Sequence, residues 1–191
     1  MNTETTSRDF FEQKYLKNAD PWSFASSSYE QCRYDAIFRS LNHRRYRHGF
    51  EPGCSIGLLT ERLASVCQYV DAMDISPTAV RYARERCRGL LNVDIECGAL
   101  PDLIPIGSFD LVVLSEIGYY FEEEELEGLA KSIVAQMSMS GVLVAAHWLG
   151  ASEDHVLSGD RVHEILASLK GLAHEHEEHH AGFRLDRWKR I

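Results

Sequence analysis

The chain lacks any stretch approaching the roughly 20 consecutive apolar residues that would span a bilayer. Its polar opening, Met1 to Arg8, lacks the apolar centre of a secretory leader. A cytoplasmic protein with no membrane partner is expected. Basic charge is also scarce, with 20 Lys and Arg against 29 Asp and Glu and a formal net charge of −9. Nucleic-acid backbones are held by clustered Lys and Arg, and the one basic cluster, His43-Arg44-Arg45-Tyr46-Arg47-His48, is short. No nucleic-acid partner is therefore expected. Cysteine is sparse: the five, at 32, 54, 67, 87 and 97, form no Cys-x-x-Cys pair and leave an odd count. They read as reduced thiols, Cys54 in a turn and the others in core or helix packing, with no catalytic thiol among them. Internal repeats and low-complexity segments are missing too, and 191 residues are enough for one domain and short for two.

What is present is an alternation of short β-rich runs with amphipathic stretches, the pattern of an α/β domain with a mainly parallel sheet. Strands are expected near 49–51, 69–74, 92–96, 109–114 and 142–147. Leu58, Leu59, Leu63 and Val66 have helical spacing. Ser76-Pro77 reads as a cap followed by proline at the first helical position, and the helix continues over 79–88. Carboxylates at 122–125 open a helix over 123–136, where they meet the positive end of the dipole. A terminal hairpin, 173–179 then 183–188, is expected beside the fifth strand. Ahead of the first strand, 10–15 and 29–41 read as helices lying over the carboxyl ends of the strands as a lid.

The first strand runs into Phe50-Glu51-Pro52-Gly53-Cys54-Ser55-Ile56-Gly57. Glycines at 53 and 57 let the backbone turn sharply and approach a ligand closely. Asp74 follows Gly53 by 21 positions, the distance at which a carboxylate at the tip of the second strand accepts from ribose hydroxyls. The phosphate fingerprint Gly-x-Gly-x-x-Gly is missing, so a pyrophosphate would lack its cradle. Glu51 attracts an ammonium and repels a phosphoryl group. A ligand carrying both a ribose and an ammonium fits, and S-adenosylmethionine is one.

With this turn, and with Asp20-Pro21-Trp22, Tyr29-Glu30, Arg33-Tyr34, Leu114-Ser115-Glu116 followed by Tyr119-Tyr120, His147-Trp148 and Ser158-Gly159-Asp160-x-Val162-His163, the chain resembles the class I S-adenosylmethionine-dependent methyltransferases. Within them it resembles the NodS-type branch, whose best-known member N-methylates a chitooligosaccharide. The resemblance covers the chain from about Asp20 to Trp188. It implies a Rossmann-like, doubly wound, mainly parallel seven-stranded sheet with a C-terminal antiparallel hairpin, residues 46–191, behind an N-terminal helical lid, residues 1–45. It implies S-adenosyl-L-methionine as cofactor, held by Glu51, Gly53, Cys54, Gly57, Asp74, Ile75 and Ser115. The adenine side lacks the usual Asp, so backbone contacts at Ala99 and Leu100 are expected there. Trp22 and Arg33 would reach the cofactor from the lid, Arg33 by a bidentate pair with its carboxylate. The alternative is that the lid residues only anchor the lid.

Ligands of open parallel sheets bind outside the carboxyl ends of the strands, which singles out Glu116, Tyr119 and His147 as catalytic candidates. Glu116 either orients an acceptor amine or takes its proton, or else caps the helix opening near Glu122. One of Tyr119 and Tyr120 is a core aromatic, and the other offers a hydroxyl or a ring face to the sulfonium. His147 is either a structural histidine or an acceptor ligand or base. His174, His176, His179 and His180 read as an edge strand whose charges block edge pairing, with no metal site. The expected reaction is N-methylation of a small-molecule or saccharide amine. Its rivals are O-methylation of a hydroxyl and binding of S-adenosylmethionine without catalysis.

Overall fold

The computed structural model describes residues 7–191; the opening segment 1–6, read above as part of a polar stretch without a leader, lies outside the described residues. Along the chain run α1 (Arg8–Lys17), α2 (Ser28–Ser40), β1 (Tyr46–Pro52), α3 (Leu58–Leu63), β2 (Cys67–Asp74), α4 (Pro77–Arg86), β3 (Val93–Cys97), β4 (Phe109–Ser115), a short 3₁₀ turn (Gly118–Tyr120), α5 (Glu123–Gln136), β5 (Met137–Trp148), α6 (Gly159–Ala167), β6 (Leu172–His179) and β7 (Phe183–Arg190). The seven strands follow the sheet order β3-β2-β1-β4-β5-β7-β6. No helix is long and apolar enough to cross a membrane among the described residues.

The chain forms two compact units, Met1–Leu103 and Ile104–Ile191. The lid helix α1 belongs with β1, β2 and β3, because Tyr15 is buried together with Ile56 and Ala79.

In the first unit β1 pairs parallel with β2, and β2 with β3, so that Glu51 stands beside Ala72 and Asp74 beside Cys97. Parallel neighbours need crossovers, and α3 and α4 supply them. Ser76 accepts from the Ala79 N–H at 3.1 Å and Pro77 takes the first turn of α4, the expected cap chemistry. Ala72, Val80, Ala83, Cys87 and Ile95 form one core cluster with Cys54. The glycine turn is thereby rooted in the core.

In the second unit β4 is buried along its whole length, as a parallel strand covered on both faces should be. It pairs parallel with β5, and β7 joins β5 antiparallel, Ala145 beside Asp186. The terminal hairpin of β6 and β7 is where the sequence predicts it, with β6 at the end of the sheet order. Two features go beyond expectation. β5 starts at Met137 rather than 142, and its ladder with β4 is irregular between Phe109 and Leu111. The polar run Ser138-Met139-Ser140, with Ser140 at φ +63°, hides the strand there. The helix α6 is also new: Ser158 accepts from the Arg161 N–H at 3.1 Å, and Val162, Ile165 and Leu166 are buried at helical spacing.

Candidate active site

At the end of β1 the chain turns through Gly53 at φ +74°, Ser55 at +51° and Gly57 at +80°. A Cβ on Gly57 would meet the Ala83 Cα at 3.0 Å, so α3 and α4 close together only over a glycine. The Cys54 N–H donates to the Met73 carbonyl at 2.8 Å, tying the turn to β2. Asp74 completes the knot: its carboxylate accepts the Ser55 N–H and the Ser76 N–H, each at 2.9 Å. A carboxylate has about four acceptor sites, so capacity remains for a hydroxyl donor. Asp74 therefore organises the turn as well as offering itself to a ligand.

Glu51 lies beneath, buried, accepting the Thr60 hydroxyl at 2.6 Å. Burial pushes its carboxyl up to about 8, with the Asp74 charge adding to the rise against the Thr60 bond. Burial likewise raises Asp74 to about 6 despite its amide donors. Two buried carboxyls that resist ionising beside each other suit a cationic guest, which would relieve both. Burial and the same two carboxyls push the Cys54 thiol well up, which keeps it protonated and unreactive.

The helix α1 lies across this turn. Tyr15 donates to the Ser55 hydroxyl at 2.6 Å. Glu12 accepts from the Ser76 hydroxyl at 2.5 Å, the Thr78 hydroxyl at 2.6 Å and the Thr78 N–H at 3.1 Å. It places a negative charge at the N-terminus of α4, where the dipole favours one. Although burial works against ionisation, these donors hold the Glu12 carboxyl below its ordinary value. The Asp20 carboxylate accepts the Phe24 and Ala25 amides, both at 2.8 Å, and shapes the loop that presents Trp22. Trp22 packs on Tyr15 with ring centroids 5.5 Å apart.

In the second unit, β4 ends at buried Ser115 and the chain passes through Glu116 at φ +61°. The half-buried Glu116 carboxylate accepts the Trp148 N–H at 2.7 Å and the Tyr119 hydroxyl at 2.8 Å. Tyr119 is buried, and its ring stacks on His155 with centroids 3.7 Å apart. Its carbonyl accepts from the Val156 and Leu157 amides at 2.8 and 3.1 Å. Tyr120 is only half-buried. His147 is wholly buried, with Nε2 accepting the Gly118 N–H at 3.1 Å and Nδ1 lying 3.1 Å from His163 Nε2.

A sequence model of the Nodulation protein S (NodS) family matches residues 3–159. The chain belongs to the NodS family. Nodulation protein S of Azorhizobium caulinodans is 30% identical over 165 residues, covering 82% of this chain and 77% of that protein. Nodulation protein S of Sinorhizobium fredii is 28% identical over 131 residues, covering 68% of this chain and 61% of the relative's own length. The solved N-methyltransferase NodS from Bradyrhizobium japonicum WM9, in complex with S-adenosyl-L-homocysteine, superimposes with a TM-score of 0.85 at 23% identity, covering 98% of this chain and 99% of that one. A putative methyltransferase from Pseudomonas syringae is 34% identical, with a TM-score of 0.77 and coverage of 86% and 100%. The fold is the Rossmann-like one expected.

Against that NodS fold the candidate residues sort clearly. Glu51, Gly53, Cys54, Gly57, Asp74 and Ile75 come together on one turn and strand tip, and Ala99 and Leu100 follow β3, half-buried, with the Ala99 carbonyl accepting from the Leu103 N–H at 2.9 Å. Three of the candidates have partners inside the fold. Tyr119, expected to face a substrate, is the core aromatic of the pair, and Tyr120 is the accessible one. His147 offers no ring nitrogen to an acceptor, since one accepts from a backbone amide and the other meets His163. Arg33 is buried and ion-paired with Glu30, its guanidinium 5.3 Å from the Tyr34 ring centre. Glu116 does not cap α5, because the Glu122 N–H donates to Glu125 at 3.2 Å and that pair opens the helix by itself. Glu12, Tyr15, Thr60 and Thr78 escaped sequence reading. Their partners lie 64 and 66, 40, 9, and 66 residues away respectively, beyond any local spacing rule.

Proposed function

We propose that this NodS-family S-adenosylmethionine-dependent methyltransferase transfers the methyl group to the nitrogen of a small-molecule or amino-sugar acceptor. The observation that carries the donor side is the pair of buried carboxyls Glu51 and Asp74 on the glycine turn, both raised by burial, Glu51 to about 8 and Asp74 to about 6, and fitted to an ammonium and a ribose. Bound there, S-adenosylmethionine supplies a methyl group already activated on a sulfonium. The chain's own work is to hold and orient. Asp74 keeps acceptor capacity for the ribose hydroxyls, Glu51 meets positive charge, and backbone at Ala99 and Leu100 serves the adenine. Trp22, beside Tyr15, covers the turn and excludes water.

On the acceptor side Glu116 is an acceptor-only group whose direction is fixed by the Trp148 amide and the Tyr119 hydroxyl. It draws a cationic amine and takes its proton onto the carboxylate, which frees the lone pair that must attack. Tyr120 offers its ring face to positive charge. An amine is favoured over a hydroxyl because the hydroxyl demands a strong base, and His147 is occupied at both nitrogens. The test is calorimetric titration with S-adenosylhomocysteine followed by methyl transfer from S-adenosylmethionine to a panel of amino sugars, partly deacetylated chitooligosaccharides, simple amines and their hydroxyl counterparts. Methylation at nitrogen is expected. Transfer to the hydroxyl counterparts alone, or tight binding with no transfer to any of them, would overturn the reading.

A further inference from the structure

His163 has no part in the roles above, yet it is wholly buried and belongs to a chain of ring nitrogens. The Gly118 N–H donates to His147 Nε2 at 3.1 Å, His147 Nδ1 lies 3.1 Å from His163 Nε2, and His163 Nδ1 lies 2.5 Å from Asp186 Oδ2. A backbone N–H can only donate, so His147 Nε2 carries no proton. The neutral ring then holds its proton on Nδ1 and gives it to His163 Nε2, which must accept. The His163 proton is therefore on Nδ1, facing a carboxylate that only accepts. The amide at one end and the carboxylate at the other enforce the same direction. Burial pushes the His163 imidazole below its ordinary value against the pull of Asp186, as a neutral ring requires. Despite burial, bonds from His163, Arg184 and His174 hold the Asp186 carboxyl well below the usual carboxylate range.

The near end of the chain is pressed into place. A Cβ on Gly118 would stand 2.9 Å from His147 Nε2 and 2.5 Å from Val162 Cγ1, so the turn sits directly on β5 and α6. Two residues earlier Glu116 holds a left-handed backbone, a conformation that persists only where its surroundings over-determine it. The side chains of Glu116 and Tyr119 bond to each other on either side of Gly118. A fully satisfied buried polar chain is a device for fixing one geometry, since every alternative strands a donor or acceptor.

We propose that His163 is a positioning residue for methyl transfer: with Asp186 it sets the His147 tautomer that grips the Gly118 amide, and so holds the turn that aims Glu116 at the acceptor. This rests on the acceptor role given to Glu116 above, and the test separates the two. His163→Gln keeps an acceptor for His147 and a donor for Asp186; His163→Leu keeps neither. Both variants and the wild type, loaded with S-adenosylhomocysteine, are compared by nitrogen-15 NMR of labelled histidine and by amide exchange. Kinetics follow with a partly deacetylated chitooligosaccharide as methyl acceptor.

The expected result is His147 protonated at Nδ1 in the wild type and the Gln variant. In the Leu variant the Gly118 amide should exchange about tenfold faster while Val144 in β5 is unchanged. S-adenosylhomocysteine affinity should stay within about twofold while kcat/KM for the acceptor falls about tenfold or more, with rescue by Gln. Protonation of His147 at Nε2 in the wild type, or equal Gly118 exchange and equal kcat/KM in the Gln and Leu variants, overturns the proposal. If the Leu variant does not fold, the wild-type tautomer and the kinetics of the Gln variant decide. A wild type that methylates none of the panel sinks the acceptor reading alone, and the tautomer and exchange data still decide the relay.

Discussion

Tyr15 donates to the Ser55 hydroxyl at 2.6 Å, fastening α1 to the glycine turn across 40 residues of sequence. Ser55 also gives its N–H to Asp74 and does so from a left-handed backbone, φ +51°. A side chain at such a position costs about 1–2 kcal/mol that glycine would not. The serine offsets part of this by supplying the hydroxyl to which Tyr15 of the lid donates. The turn therefore gives up conformational ease for a closure bond.

Ser55→Ala keeps the strain and loses the bond, whereas Ser55→Gly loses the bond and the strain together. The glycine variant should be the more stable of the two by about 1 kcal/mol in denaturant unfolding. Tyr15→Phe should cost about 1 kcal/mol and raise amide exchange in α1. An alanine variant as stable as the glycine variant would show that Ser55 is unstrained in solution.

Asp74→Asn should weaken S-adenosylhomocysteine binding by about 1.5–3 kcal/mol, the usual range for hydrogen bonds to a charged group. The amide side chain cannot accept through both arms, so either the Ser55 or the Ser76 N–H loses its partner as well. Calorimetry measures it. An unchanged dissociation constant would remove Asp74 from the ribose side.

Glu51 predicts a pH dependence whose sign follows from its raised pKa. Its neutral form is favoured in the fold, so the stability it contributes is complete below the ordinary carboxylate value of 4.5 and is lost as pH rises through about 8. A cationic guest prefers the ionised form, so binding of S-adenosylmethionine at pH 7 should release a proton. Affinity should rise as pH approaches 8. Titration in two buffers of different ionisation enthalpy reads the proton directly, and Glu51→Gln should abolish its release. Proton uptake in the wild type would show that Glu51 does not meet the ammonium.

The parts of this architecture that were legible in sequence are those fixed locally. Ser76-Pro77 announces α4, the carboxylates before Leu126 announce α5, and Gly53, Gly57 and Asp74 announce the turn. α6 leaves a local mark as well, since Ser158 precedes Val162, Ile165 and Leu166 at helical spacing, within the segment whose motif is Ser158-Gly159-Asp160-x-Val162-His163. His163 could not be assigned a role from spacing, because its partners are 16 and 23 residues away on two different strands. The same holds for Glu12, whose charge on the N-terminus of α4 is visible only once α1 has folded back. Tyr119 and Tyr120 are adjacent and chemically alike, and only the stacking partner His155 decides which of them is core.

Chelation should leave activity intact. Among the described residues His174, Glu177 and Asp186 bring ligand atoms within 4.8 Å of one another. A cation is already in place there, because Arg184 Nε donates to Asp186 at 2.6 Å and Arg184 Nη2 to Glu177 at 3.3 Å. Metal would have to displace a guanidinium that makes charge-assisted bonds to both carboxylates. Loss of methyl transfer in EDTA, restored by a divalent ion, would overturn this.

Glu116→Gln tests the acceptor side with little change of shape. The amide oxygen can still accept from the Trp148 N–H, and the amide NH2 can donate to a rotated Tyr119 hydroxyl, so the turn should keep its fold. What disappears is the negative charge that draws a cationic amine and the carboxylate that takes its proton. The KM for an amino-sugar acceptor should rise about tenfold or more, while the dissociation constant for S-adenosylhomocysteine stays within about twofold. Tyr119→Phe should give a smaller loss in the same direction, because it removes one of the two donors that aim the carboxylate and leaves the charge. Kinetics with acceptor varied at saturating S-adenosylmethionine distinguish these outcomes. If Glu116→Gln changes cofactor affinity and leaves acceptor KM alone, the carboxylate belongs to the donor side, and with it goes the reason for preferring an amine over a hydroxyl.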